Sequence, residues 1–233
     1  MAEGRRLVSD ALASGAAVRG VVAADDVAEG SVAEVLAEAV RCGVPIEVVP
    51  RATFDTLADT QTPSGVLAVV AWAPATLASL RLPPGRAVVL VLDAVQDPGN
   101  VGTMLRTAYA LGAAATIALD GTADVRGQKV LRSAMGALFR HPVAQARADE
   151  FLAFLEQERL GLWVATMDGA PLAGDEAVPA RLALAVGNEG AGLRAELLAG
   201  AARRVSVPMR QGAESLNAAV AAGILLHEVL GER

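Results

Sequence analysis

The sequence predicts an α/β protein of two domains: a small α/β unit over residues 1–72, a linker at 73–86, and a larger unit over 87–233 built on a mostly parallel sheet. Three observations carry this prediction. Helical and strand periodicities alternate through the first part of the chain. A stretch holding Pro74, Pro83, Pro84 and Gly85 follows without sustained periodicity, as linkers do. From Ala87 onward, uninterrupted apolar runs replace the earlier patterns, and such runs suit parallel strands covered by helices on both faces.

The elements follow in order. Leu7, Val8, Ala11 and Leu12 form a helical stripe, and Val18 to Ala23 reads as a strand. Ser31-Val-Ala-Glu34 has the spacing of a capping box and opens a helix whose stripe is Val32, Val35, Leu36, Ala39 and Val40. Val44 to Val49 and Val66 to Ala71 are further strands. In the larger unit the strands are Val88 to Leu92, Ala115 to Leu119, Leu162 to Thr166, Leu182 to Val186 and Val205 to Val207, with helices between them. The 73–86 linker lies between the two sets.

Composition narrows the function. The chain is 53% hydrophobic and 3% aromatic, so its cores are packed from small and β-branched side chains. Its net charge of −6 argues against bulk electrostatic coating of nucleic acid, so any polyanion must meet a local basic patch. Lys129 is the only lysine, and the remaining basic residues are arginines, suited to bidentate phosphate contacts. Cys42 is the only cysteine and His141 and His227 the only histidines, which excludes an intrachain disulfide and a Cys/His zinc site, so no metal is expected. With neither a secretory signal nor a membrane-spanning run, the default is a cytoplasmic protein with no membrane partner.

Four segments can carry chemistry. In the first, the strand ending at Leu92 enters a polar turn and then a helix, with Asn100 as the expected N-cap after Pro98 and Gly99, and with Arg106 within the helix. In the second, Leu182 to Val186 runs into Gly187-Asn-Glu-Gly-Ala-Gly192, where Glu189 argues against a phosphate cradle and for a hydroxyl or cationic ligand. In the third, Val207-Pro-Met209 precedes Ser215-Leu-Asn217, with Ser215 expected to cap a final helix whose first two turns carry no charge. Such a helix is buried all round, either inside the monomer or at a subunit interface. In the fourth, Arg126 to Phe139 reads as one helix with Lys129, Arg132 and Ser133 opposite its apolar arc and with Arg126 and Arg140 at its flanks. No acidic residue stands between Asp124 and Asp149, making this the best candidate for a phosphate-facing patch.

Together these segments resemble the SpoU (TrmH) family of RNA ribose 2′-O-methyltransferases, of the SPOUT class. The matching motifs are D-x-x-x-D-P-x-N-x-G-x-x-x-R from Asp93 to Arg106, G-N-E-G-x-G from Gly187 to Gly192, and V-P-M…S-L-N from Val207 to Asn217. The front region, with Thr60-Gln-Thr-Pro-Ser-Gly-Val66, is similar to that family's small RNA-binding domain, which resembles ribosomal protein L30e; relative to many members it begins abruptly at Glu3-Gly4.

The resemblance implies an L30e-like domain followed by an α/β-knot domain with a deep trefoil, one of the rare exceptions to unknotted topology, that dimerises through the knotted part. It implies S-adenosylmethionine as cofactor, walled by loops at Thr166 to Asp168 (with Met167), Gly187 to Glu189 (with Asn188), Val207 to Met209, and Ser215 to Leu216. Its catalytic set would be Arg106 with Asn100, Glu189, Ser215 and Asn217, and its RNA contacts would include Arg126, Lys129, Arg132 and Arg140. The implied substrate is structured RNA, foremost 23S rRNA; transfer RNA, or RNA binding and ribosome assembly without catalysis, are the alternatives.

Overall fold

The computed structural model describes residues 1–27, 31–172, 177–210 and 215–231. The chain divides into two compact units, Met1–Ala73 and Pro74–Arg233. In the first, β1 (Ala2–Glu3), α1 (Arg5–Ala13), β2 (Ala17–Ala24), α2 (Ser31–Arg41), β3 (Ile46–Val49), α3 (Arg51–Leu57) and β4 (Val66–Ala71) follow one another. The strands form a four-stranded sheet in the order β1-β4-β2-β3, parallel only between β2 and β3. The predicted α1 stripe of Leu7, Val8, Ala11 and Leu12 is buried. The side-chain half of the Ser31 capping box lies outside the described residues. Arg51 ties the start of α3 to the end of β2: its backbone N–H donates to Asp25, its guanidinium pairs with Asp26, and it lies 5.7 Å over the Phe54 ring.

The second unit contains β5 (Ala87–Asp93), α4 (Pro98–Leu111), β6 (Ala115–Leu119), α5 (Gln128–Ala134), β7 (Val143–Ala146), α6 (Ala148–Glu158), β8 (Gly161–Pro171), β9 (Arg181–Gly187), α7 (Ala195–Gly200), β10 (Arg203–Ser206) and α8 (Ala218–Leu230). Its six strands run in the order β10-β8-β9-β5-β6-β7, and every pairing is parallel. The apolar runs therefore are the strands buried on both faces that their composition predicts: β5 and β6 are buried at every position.

Four expectations are corrected. Residues 74–86 are not a free linker: Ala75 bridges to Ala144, and Leu80 is buried in the main core beside Val89, Ile117 and Phe154. The prolines misled, because three well-spaced apolar side chains, Leu77, Leu80 and Leu82, pin this segment to the second unit. The predicted Arg126–Phe139 helix is broken after Ala134, where Met135 and Gly136 both take positive φ, and a 3-10 turn follows. Ser133, expected on the outer arc, faces α4: a Cβ on Gly102 would lie 2.5 Å from the Ser133 Cβ and from the Val130 carbonyl oxygen, so this glycine lets the two helices meet at backbone distance. Finally, α8 is not buried all round within one chain, since Val220 is 50% and Ile224 39% exposed on one stripe.

His141 is 5% exposed, shares a 2.8 Å hydrogen bond with Thr116 Oγ1, and meets the Tyr109 ring edge-on. Burial pushes its pKa down to about 4. The unfolded chain, with an ordinary imidazole, therefore binds a proton that the fold refuses. The sign follows: stability is full above about pH 6.5, falls as the pH drops toward 4, and levels below it, a loss of roughly 3 kcal/mol. Urea unfolding followed by Trp163 fluorescence, in a Trp72→Phe background, is expected to show this slope, and His141→Gln to flatten it. A parental slope in that variant would assign the acid sensitivity elsewhere.

Candidate active site

The polar residues of the three motifs meet at the C-terminal ends of β5 and β9, where parallel sheets place their ligands. Asp97, not Asn100, caps α4: its carboxylate accepts the Asn100 backbone N–H at 2.9 Å, and Pro98 at the first helical position has φ preset for the helix. That contact is the main reason the Asp97 carboxyl lies below its ordinary pKa. The correction has a consequence, because the Asn100 side chain, released from capping, points outward and donates from Nδ2 to Glu189 Oε1 at 2.9 Å.

Asn217, not Ser215, caps α8. Its Oδ1 accepts the backbone N–H groups of Ala219 and Val220 at 2.9 and 3.2 Å, which fixes the amide so that Nδ2 donates to Asn100 Oδ1 at 2.9 Å. A directional chain results, from the α8 cap through Asn217 and Asn100 to the Glu189 carboxylate. Burial pushes the Glu189 carboxyl up, but the Asn100 amide and the backbone N–H groups of Glu189, Gln96 and Asp97 outweigh it and hold the pKa below its ordinary value.

The second motif folds as a closed turn. Asn188 and Gly192 exchange backbone hydrogen bonds at 2.9 and 3.0 Å, Asn188 Oδ1 accepts from Gly190 and Ala191, and its Nδ2 donates to the Ala94 carbonyl at 2.9 Å. Gly187 serves this closure, since a Cβ there would sit 2.5 Å from the Gly192 carbonyl carbon. Ala94 itself has φ 55°, an unfavourable conformation for a residue with a Cβ, at the first position beyond β5.

Next to this turn opens a cleft of about 700 Å3. The β8–β10 ladder forms one wall: Arg204 pairs with Val164 but Val205 with Ala170, so residues 165–169 loop out of the sheet. Thr166, Met167 and Asp168 on that loop line the cleft. Gly187, Asn188 and Glu189 line it from the second motif, and Val207, Met209, Ser215, Leu216 and Asn217 from the third. The ten residues named for the expected cofactor wall thus share one cavity. Arg106 does not: it is exposed on α4, in a shallow groove against α8 with Val220, Gly223 and Ile224, and Asn217 borders both the groove and the cleft.

Two family models match the chain, SpoU rRNA Methylase over residues 87–227 and RNA 2′-O ribose methyltransferase substrate binding over residues 1–74. The chain belongs to the SpoU methylase family. A curated relative, the 23S rRNA (guanosine(2553)-2′-O)-methyltransferase RlmP of Bacillus subtilis, is 38% identical over 98% of this chain and 87% of its own length. The AdoMet-bound rRNA methyltransferase from Sinorhizobium meliloti superposes with a TM-score of 0.84 at 30% identity, covering 98% of this chain and 85% of that one. The SpoU methyltransferase AviRb from Streptomyces viridochromogenes, in complex with AdoMet, superposes at 0.86 and 28% identity, covering 98% and 88%. The second unit of this SpoU methylase accordingly has the SPOUT α/β-knot fold.

The candidate RNA contacts are more compensated than their sequence spacing indicates. Arg126 is 3.0 Å from Asp124, and Lys129 is 3.6 Å from the capping Asp97, both in exposed pairs. Arg132 is half-buried on α5 and Arg140 is exposed after the 3-10 turn. Among the described residues no group of three or more His, Cys, Asp or Glu is placed to hold a metal, and no helix is long and apolar enough to cross a membrane. Sequence reasoning did not find the pair of Arg194 with the buried Asp93 at the end of β5, 2.6 Å apart. The signal was present, an arginine two residues past the glycine turn and an aspartate ending an apolar strand, but nothing local joins them.

The cap geometry is testable without any ligand. Asn217→Ala is expected to destabilise α8 by about 1 kcal/mol, and Asn217→Asp, which keeps the acceptor, to cost much less. Hydrogen exchange at the Ala219 and Val220 amides reads the difference; equal protection in both variants would show that the cap is not what holds this helix end.

Proposed function

We propose that the chain transfers the methyl group of S-adenosylmethionine to a ribose 2′-hydroxyl of 23S rRNA. The observation that carries this reading is the hydrogen-bonded chain Glu189–Asn100–Asn217, which joins all three motifs at the rim of one cleft. The names of the relatives support the substrate class: RlmP, RlmB and two adenosine(1067) enzymes are all named as 23S rRNA 2′-O-methyltransferases. A ribosomal substrate implies a cytoplasmic site of action.

The cleft fits the cofactor in size and chemistry. Its volume is within the range of small-molecule sites. Met167, Met209 and Leu216 keep exposed apolar surface suited to an adenine, while Glu189 puts a carboxylate beside it and Asp168 a second one balanced by Arg204, a setting that accepts a cation. When bound, S-adenosylmethionine supplies an electrophilic methyl group on a positively charged sulfur. The loops at Thr166 to Asp168, Gly187 to Glu189, Val207 to Met209 and Ser215 to Leu216 would hold and orient it.

On the substrate side, Asn100 and Asn217 present a polar edge whose donors and acceptors are fixed by their neighbours, and Ser215 adds a hydroxyl. Glu189, held ionised, anchors this edge and is too weak a base to do more at neutral pH. Arg106 would bind the phosphate next to the target ribose and stabilise the negative charge that develops on the 2′-oxygen as its proton passes to solvent. Arg106 lies in the α4–α8 groove, outside the cleft of its own chain, and the exposed Val220 and Ile224 border it. Pairing of two chains across this groove covers the apolar stripe and brings Arg106 to a cleft, so the active form is a homodimer. Arg126, Lys129, Arg132 and Arg140 bind RNA phosphates, and the exposed ion pairs at Arg126 and Lys129 are weak enough to be exchanged for them.

Mapping 2′-O-methyl positions in ribosomal and transfer RNA with and without the protein is expected to lose one 23S position. Loss only in transfer RNA would overturn the substrate assignment. In calorimetric titration with S-adenosylmethionine, Arg106→Ala is expected to bind like the parent yet to lose turnover by about 100-fold or more; parental turnover would remove Arg106 from the mechanism. Val220→Glu is expected to sediment as a monomer and to lose activity, and an active monomeric variant would contradict the dimer.

A further inference from the structure

The carboxylate of Asp93 is 1% exposed and ends β5, the strand from which the first motif emerges. Arg194 takes both its oxygens: the backbone N–H donates to Oδ2 at 2.8 Å and Nε to Oδ1 at 2.6 Å. The same guanidinium continues to the end of β6, donating from Nη1 to Asp120 Oδ1 at 3.0 Å and from Nη2 to the Asp120 carbonyl at 2.8 Å. Asp120 is more than half exposed, so the planar fork spans from the sheet interior to solvent and joins two strand ends. Arg194 borders neither the cleft nor the groove. It directly follows Leu193, the cleft-lining residue next after the second motif. At its other end that motif is tied by Asn188 to the Ala94 carbonyl, one residue beyond Asp93. The turn carrying Glu189 is thereby fastened twice to the start of the loop that leads to Asn100.

We propose that Arg194 is a positioning residue for methyl transfer: by clamping the end of the 187–193 turn onto the last residues of β5 and the first beyond β6, it sets the placement of the cofactor wall against the Glu189–Asn100–Asn217 edge. This inference rests on the cofactor reading above. Its competitor is a purely structural role, in which Arg194 only neutralises a buried carboxylate. The two roles separate chemically. Removing both charges of a buried pair spares stability far better than removing one, whereas the directed fork to Asp120 is lost in either case.

The test compares the parent with Asp93→Asn/Arg194→Met, Arg194→Lys and Asp120→Ala, using S-adenosylmethionine calorimetry, methyl incorporation into 23S rRNA and thermal melting. The double variant is expected to melt near the parent but to bind S-adenosylmethionine roughly tenfold more weakly and to turn over roughly 10- to 100-fold more slowly. Arg194→Lys, which keeps the charge without the fork, is expected to lie between. A double variant with parental melting, affinity and turnover overturns the proposal. If the double variant does not fold, Asp120→Ala decides: it removes the Nη1 contact, together with the Ala148 N–H contact of the same carboxylate, and leaves the Asp93 pair in place, so weakened affinity at parental melting temperature supports the proposal and parental affinity and turnover overturn it. A parent that does not bind S-adenosylmethionine overturns the cofactor reading and this inference together, a result distinct from a variant that behaves like a binding-competent parent.

Discussion

The parallel register of β5 against β9 pairs Asp93 with Gly187, the last residue of one strand beside the last of the other. Both strands end at the same height, so the two loops that leave them start side by side. A slip of one residue would turn Asp93 from its buried partner and send the chain beyond Gly187 off in the wrong direction. The buried pair with Arg194 is affordable only in this register, where a backbone N–H and a guanidinium both reach the carboxylate. The remaining polar contacts of the site, Asn188 on Ala94 and Asn100 on Glu189, depend on that starting alignment.

Electrostatics divides the site into two kinds of residue. Asp93 and Arg194 meet in a low-exposure setting where an unpaired charge is costly, so their contribution is to hold shape. Asp168 with Arg204, Asp97 with Lys129 and Arg126 with Asp124 are exposed pairs that solvent screens, so each adds little to stability. The methylase therefore keeps a rigid frame behind the cleft and labile charge around it.

Much of the fold was legible because the apolar runs are long and uniform. Val66 to Ala71 and Ala115 to Leu119 were read with the bounds the structure has. The segments α3 and β7 escaped, as seven- and four-residue elements hold too few turns or pleats to display a period. The two helix caps were misread for a shared reason. Each motif offers two good capping residues close together, Asp97 and Asn100 or Ser215 and Asn217, and the choice is settled by a proline in one case and by a contact from another element in the other. The family motifs brought the cleft residues within reach, whereas Arg194 stayed invisible, because Asp93 and Asp120 lie 101 and 74 positions away in the chain.

The loop at residues 165–169 leaves the β8–β10 ladder between two consecutive residues of β10 and rejoins it with a shifted register. Strand pairing resumes with Val205 on Ala170 and is secured by the Ser206 hydroxyl on the Gly169 carbonyl. One flank of the cavity is thus an excursion that the sheet does not need for its own continuity. Substitutions at its cleft-facing positions would reshape what the cavity admits while leaving the β8–β9 pairing, which spans Gly161 to Val164, as it is.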